Sequence, residues 1–275
     1  ALVGARRFDR FQIGHGRGIE RGVRGGRRGA AEGKTTLKNC AKEPEVGELA
    51  NFLNKCGASI HGAGESTIEI TGVDSLGSVE WDVLFDRIEA GTYLVAGAIT
   101  NGHITVKKIE PKTIQVLTNK LIEMGVHVSY GENWVEADAT SSEITCVDIG
   151  TEPFPGFPTD MQAQFMALNT IATGSCTIEE TVFENRFQHV SQLRKMGADI
   201  VLSKNKAFVK GVPNLVGSEV KASDLRASAS LVLAGLVGKN RTQIDNIYHI
   251  DRGYECIEEK LNKLGADIIR EPVVY

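Results

Sequence analysis

Three aspartates, Asp86, Asp160 and Asp224, each open a run that reaches a glycine about 15 residues later: DRIEAGTYLVAGAITNG, DMQAQFMALNTIATG and DLRASASLVLAGLVG. An aspartate in that place can cap a helix, its carboxyl oxygen accepting from first-turn amides that have no partner inside the helix. If the three runs are copies of one unit, their N-termini also point into one space, where unpaired amides and the helix dipole attract anions. Arginines stand close by. Arg87 and Arg226 lie just inside two of the runs, and Arg186 (in ENRF) and Arg252 (in IDRGY) sit in turns that lead into other helices. A single Asp–Arg neighbour pair reads equally well as a local surface ion pair of little energetic weight. Arginines repeated at equivalent turns suit bidentate capture of phosphate and carboxylate together, which points to a small, doubly anionic substrate.

The elements that must position these groups follow from repetition. LANFLNKCGASI (ending at Ile60), LTNKLIEMGVHV (Val128), VSQLRKMGADIV (Val201) and IEEKLNKLGADI (Ile268) are amphipathic runs that end in a glycine and pass into a short apolar stretch. They recur about every 70 residues, the mark of one supersecondary unit used repeatedly. A second glycine runs in phase, in AAEGKTTLKN, AGAITNGHITVKKI, IATGSCTIEET and LAGLVGKNRTQIDNI. After each helix the residues alternate with period two, as in GASIHGAGESTIEITGV, so a strand, a turn and a second strand are expected, the copy at Ile268 included. Helices covering sheets, repeated, imply an α/β or α+β layer architecture.

Composition bounds the partners. The chain has 275 residues, 41% of them hydrophobic, and a formal net charge of −4, so charge alone asks for neither nucleic acid nor a membrane surface. Cys40, Cys56, Cys146, Cys176 and Cys256 are scattered without a C-x-x-C pair and read as small buried residues rather than a disulfide framework. The longest apolar run, around Leu231 to Val237, is far short of the ~18 residues of a membrane span, and no signal peptide is visible, so a cytoplasmic protein is expected. FQIGHGRGIERGVRGGRRG, between Asp9 and Ala30, has no apolar period and is expected to be disordered; its readings are an RNA-binding tail or an altered coding sequence.

The strings FPTDMQAQ (157–164), TVFENRF (181–187), DLRASASLVLAG (224–235), YHIDRGYE (248–255) and DRIEAGTYLVAGAI (86–99) closely resemble the UDP-N-acetylglucosamine 1-carboxyvinyltransferase (enolpyruvyl transferase) family. The resemblance implies two inside-out α/β domains, each of three βαβαββ units with helices inside and sheets outside. It implies transfer of enolpyruvyl from phosphoenolpyruvate to the C3 hydroxyl of UDP-N-acetylglucosamine in peptidoglycan synthesis, without cofactor or metal. By motif position it makes Asp160 the candidate base, Arg226 and Arg252 the phosphoenolpyruvate arginines, Arg186 a further active-site arginine and Asp224 a supporting carboxylate. Arg6, Asp9, Glu43, Arg87 and Phe183 complete the substrate-binding set, Glu43 with Glu45 in an EPE turn.

Residues 1–85 are expected to be a remnant of one domain, with 1–30 irregular, and 86–275 a nearly complete second domain of three repeats. The guanidinium groups of Arg186, Arg226 and Arg252 are expected within roughly 10–12 Å of one another, about a Debye length. The family's loop cysteine falls before Ala1, so this chain is expected to be an inactive monomeric form. The open alternatives are the sibling transferase that uses shikimate phosphate and a catalytically silent ligand-binding paralogue or fragment.

Overall fold

The computed structural model describes residues 33–271; Arg6, Asp9 and the glycine–arginine stretch lie outside the described residues. The chain divides between Phe85 and Asp86 into two compact units.

The first unit holds β1 (Lys34–Lys38), α1 (Pro44–Lys55), β2 (Ser59–His61) and β3 (Thr67–Thr71) in an antiparallel sheet of order β1-β3-β2. Pro44 starts the helix where a missing N–H leaves no bond unmade. Ala50 and Leu53 of α1 pack on Ile60, Ile68 and Ile70, the buried face of the sheet. Glu48 on α1 ties down the following segment, accepting from the Trp81 indole at 2.7 Å and the Leu84 N–H at 2.9 Å.

The second unit is built on three buried helices: α2 (Arg87–Ile99), α4 (Gln162–Asn169) and α6 (Leu225–Val237). Every residue of α4 is buried, the polar Gln162, Gln164 and Asn169 included, and α2 is buried from Ala90 to Ile99; neither helix carries a charge beyond its first turn. Small residues let neighbours approach: a Cβ on Gly91 would fall 2.7 Å from Leu117 Cδ1. The sheets are β4-β6-β5 (His103–Lys107, Trp134–Asp138, His127–Tyr130), β7-β8-β10-β9 (Ile149–Gly150, Ser175–Glu179, Lys206–Lys210, Asp199–Ser203) and the pair β11-β12 (Glu219–Lys221, Gln243–Asp245). Burial alternates along β4, β6, β8 and β10, so each sheet has one face inward and one outward. β7 runs parallel to β8 and β11 to β12, and the crossovers that parallel pairing requires are α4 and α6. The short helices α3 (Gln115–Glu123), α5 (Val190–Lys195) and α7 (Ile257–Asn262) complete the repeats. No helix among the described residues is long and apolar enough to cross a membrane.

The glycine mark is a helix stop. Gly57, Gly125, Gly197 and Gly265 take φ of +104°, +101°, +90° and +105°. Each donates to the carbonyl three residues back while the next residue donates to the carbonyl five back, a Schellman cap that glycine enters without Cβ strain.

Two expectations fail. Residues 266–271 form no strand, although the Gly265 cap is intact. Among the described residues β12 pairs with β11 alone, so nothing equivalent to β10 stands ready to receive another strand, and a strand exists only through its ladder. Of the five cysteines only Cys176 is buried; Cys256 is exposed, because it falls in a left-handed turn ahead of α7 rather than on the helix's packed face.

Candidate active site

Asp86 and Asp224 are helix caps. Asp86 Oδ1 accepts from the N–H groups of Ile88 and Glu89 at 2.8 and 3.0 Å, and Asp224 Oδ1 from those of Arg226 and Ala227, both at 2.9 Å. The Ser223 hydroxyl donates to the other Asp224 oxygen at 2.9 Å. Asp160 departs from the pattern. It lies in a 3-10 turn, Thr159–Met161, capped by Pro158, and its carboxyl accepts no first-turn amide.

Two arginines hold it instead. Arg226 Nη2 donates to Oδ2 at 2.7 Å and Arg186 Nη1 to Oδ1 at 3.0 Å, with Arg226 fixed at the start of α6 and Arg186 carried by the loop after β8. The Arg186 guanidinium also lies over the Phe183 ring, 4.9 Å from its centre, and that ring is 54% exposed. An open cavity of about 880 Å³ is lined by Phe183, Arg186, Lys204 and Asn205.

The charges set one another. Burial alone would raise the Asp160 pKa, but Arg226 and Arg186 outweigh it and hold the carboxyl below the usual aspartate range. Burial likewise opposes the charge on Arg226, and Asp160 more than restores it. Asp224 is lowered against its own burial by the Ala227 amide, the Ser223 hydroxyl and the Arg226 amide.

No ion pair among the described residues joins the third arginine to this group. Arg252 is exposed and makes no ion pair with the described residues, while Asp251 beside it is taken by Arg270, with Nη1 2.9 Å from Oδ1. The end of that turn is nonetheless fixed: Tyr254, 2% exposed, has its hydroxyl 2.8 Å from Thr92 Oγ1 of α2 and accepts from Gln164 Nε2 of α4 at 3.4 Å. Arg87 lies over the Phe154 ring, 5.7 Å from its centre. Glu43 belongs to the first unit, where its Oε2 is buried without a hydrogen-bond partner among the described residues.

Two residues that sequence reading passed over stand beside the cluster. His189 is fully buried, with Nε2 3.2 Å from Met166 Sδ; burial pushes its pKa down to about 4, Arg186 adding to the shift and Asp224 opposing it. Glu180 is the other, and its only signal in the sequence is a carboxylate next to a strand end. Among the described residues no group of three or more His, Cys, Asp or Glu is placed to hold a metal ion.

Buried helices ringed by outward-facing sheets, with two arginines on one aspartate at a helix start, define a repeat-built α/β protein of the inside-out type. Residues 28–261 match the model of the EPSP synthase (3-phosphoshikimate 1-carboxyvinyltransferase) family, and the chain belongs to that family. It is 58% identical over 240 residues to the UDP-N-acetylglucosamine 1-carboxyvinyltransferases of Coxiella burnetii strains Dugway 5J108-111 and RSA 493. The match covers 87% of this chain and 55% of each relative, so the chain spans about half the length of the curated relatives it matches. Among solved structures it is similar to the enolpyruvyl transferase NikO from Streptomyces tendae, with a TM-score of 0.77 and 30% identity over 86% of this chain and 57% of that one. EPSP synthase from Acinetobacter baumannii, at 17% identity and a TM-score of 0.64 over 87% of this chain and 59% of that one, shares the fold.

Proposed function

We propose that the Asp160–Arg186–Arg226 cluster serves transfer of the enolpyruvyl group of phosphoenolpyruvate to the C3 hydroxyl of UDP-N-acetylglucosamine. The observation that carries this reading is the single carboxyl clasped by two arginines at the start of a buried helix.

Clasped in this way Asp160 is a poor base, because both its oxygens already accept from guanidinium groups. A phosphate or carboxylate arriving at Arg226 or Arg186 competes for the same forks. Each fork it withdraws leaves Asp160 more basic as the substrates assemble, which couples proton removal to binding. The hydroxyl oxygen then bonds to C2 of the enolpyruvyl group, its proton passing to Asp160 while a general acid protonates C3. Cleavage of the C2–O bond to phosphate and loss of a proton from C3 restore the double bond. Exposed Arg252 supplies a further guanidinium for the second anionic group of phosphoenolpyruvate, Phe183 an apolar face for the sugar, and Arg87 positive charge at the start of α2. Arg6, Asp9 and Glu43 remain in this reading as substrate contacts, on the motif resemblance alone. Both substrates are cytoplasmic metabolites, so a cytoplasmic, monomeric protein without a nucleic-acid partner fits the same reading.

Titration calorimetry with UDP-N-acetylglucosamine and phosphoenolpyruvate tests it. Binding of the sugar nucleotide by the wild-type chain is expected, with Asp160→Ala and Arg186→Ala each weakening it roughly tenfold or more, as when one partner of a buried charge pair is removed. Shikimate 3-phosphate should not compete. A wild-type chain that binds neither substrate, or variants that bind as well as wild type, would rule the reading out.

A further inference from the structure

Glu180 stands where β8 gives way to the loop that carries Phe183 and Arg186, and it is 3% exposed. Its Oε1 accepts from the Thr151 hydroxyl at 2.8 Å and from the N–H groups of Val182 and Phe183 at 2.9 and 3.1 Å. Its Oε2 accepts from the Thr159 hydroxyl at 2.8 Å. Three segments therefore hang from one side chain: the end of β7 through Thr151, the turn that presents Asp160 through the residue before it, and the loop that presents Phe183 and Arg186. Thr181 reinforces the junction, its N–H donating to Thr151 Oγ1 at 2.9 Å and its hydroxyl to the Thr151 carbonyl. From the other side the backbone pairs with the β9–β10 turn, Glu180 N–H to the Asn205 carbonyl at 2.9 Å and Asn205 Nδ2 to the Glu180 carbonyl at 3.2 Å.

A buried carboxyl costs stability unless donors meet it, and here four do. The groups they belong to are the two halves of the site. We propose that Glu180 is a positioning residue, which sets where the Asp160 carboxyl stands relative to Arg186 and Phe183 without touching substrate. This deepens the transfer reading and rests on it for its ligand.

Glu180→Gln is the informative change. Two backbone N–H groups at Oε1 demand that the amide oxygen stay there, so the NH₂ must face Thr159; the bond there reverses, the NH₂ donating to the hydroxyl oxygen, and the hydroxyl proton loses its carboxylate acceptor. The variant therefore alters the link to the Asp160 turn while leaving the loop amides satisfied. Affinity for UDP-N-acetylglucosamine is expected to fall roughly ten- to hundredfold, the scale of a small misplacement of site groups. In an Arg186→Ala background the same change should alter affinity by less than about twofold, the scatter of independent sites being of that size. An equal loss in both backgrounds would mean a general structural role and would overturn the proposal.

A second readout needs no ligand. The Arg186 Nη1 protons, which donate to Asp160 in the wild-type chain, are expected to be protected there and to exchange faster in Glu180→Gln, and equal exchange in the two chains also overturns the proposal. If Glu180→Gln fails to fold, Thr159→Val cuts only the Asp160 side and is expected to give the same two effects. A wild-type chain that binds no sugar nucleotide removes the transfer reading, and the guanidinium measurement still decides whether Glu180 places the pair.

Discussion

His189 shows burial setting a charge state against nearby charge. Asp224 favours the protonated ring and Arg186 disfavours it, yet full burial dominates and the pKa falls from 6.5 to about 4. The unfolded chain thus binds a proton below pH 6.5 that the native state refuses until about pH 4. Stability from this residue is complete above the unfolded value and drains away as pH falls through that window, by roughly 2 kcal/mol at pH 5 and 3 kcal/mol at its lower end. Urea midpoints at pH 7 and pH 5 should show the loss, and His189→Gln should flatten it; an unchanged slope in the variant would assign the pH dependence elsewhere. Asp160, Arg186 and Arg226 were legible in the sequence because their motifs are long and their types carry the chemistry. Glu180 and His189 were not. Glu179 pairs at the surface with Lys206 while Glu180 is buried, and nothing in EETVFENRFQH separates the two, because the difference arises only when Thr151 and Thr159 arrive from another segment.

The elements were more legible than their contents. Four glycine stops and the period-two runs after three of them correspond to helices and strands, since Schellman caps and strand alternation are local properties. A quieter repeat escaped notice: the Asn54 side chain brackets Ile60, Asn262 brackets Ile268, and Arg194 donates to the Ile200 carbonyl, three copies of one clamp across the turn. Of the two readings open for the three aspartates, capping holds for Asp86 and Asp224 and not for Asp160, since capping depends on the preceding turn, and Pro158 there leads into a 3-10 segment. Removing the Asp224 cap by substitution to alanine is expected to cost about 1–2 kcal/mol in a urea titration. α7 depends on a different device, with Lys260 Nζ donating to Glu89 of α2 at 2.8 Å where both side chains are largely buried. Lys260→Met leaves Glu89 buried without its partner and should cost roughly 3–5 kcal/mol, whereas adding Glu89→Gln should recover much of that loss. Equal destabilisation in the single and double variants would show that packing of the Lys260 stem, not charge, holds the helix.

At the scale of the molecule, helices inside and sheets outside follow from composition: helices without a charge beyond their first turn have no strongly hydrated face to offer, whereas alternating strands offer one. The two units differ in what they can support alone. Residues 86–271 carry the three mutually packed helices, with Leu94, Phe165 and Leu231 fully excluded from solvent. The described part of the first unit is about fifty residues with one helix on a three-stranded sheet, a size at which a chain buries too little surface for a comfortable margin. Expressed separately, residues 86–275 are therefore expected to unfold in one cooperative thermal transition with near-native near-ultraviolet circular dichroism, and residues 33–85 to show no such transition. Because Asp160, Arg186, Arg226 and Glu180 all lie in the larger unit, the guanidinium protection of Arg186 should survive the separation. A molten 86–275 fragment would mean that the three-helix core needs the smaller unit to reach its packing, and the Arg186–Asp160 pair would then be lost along with it.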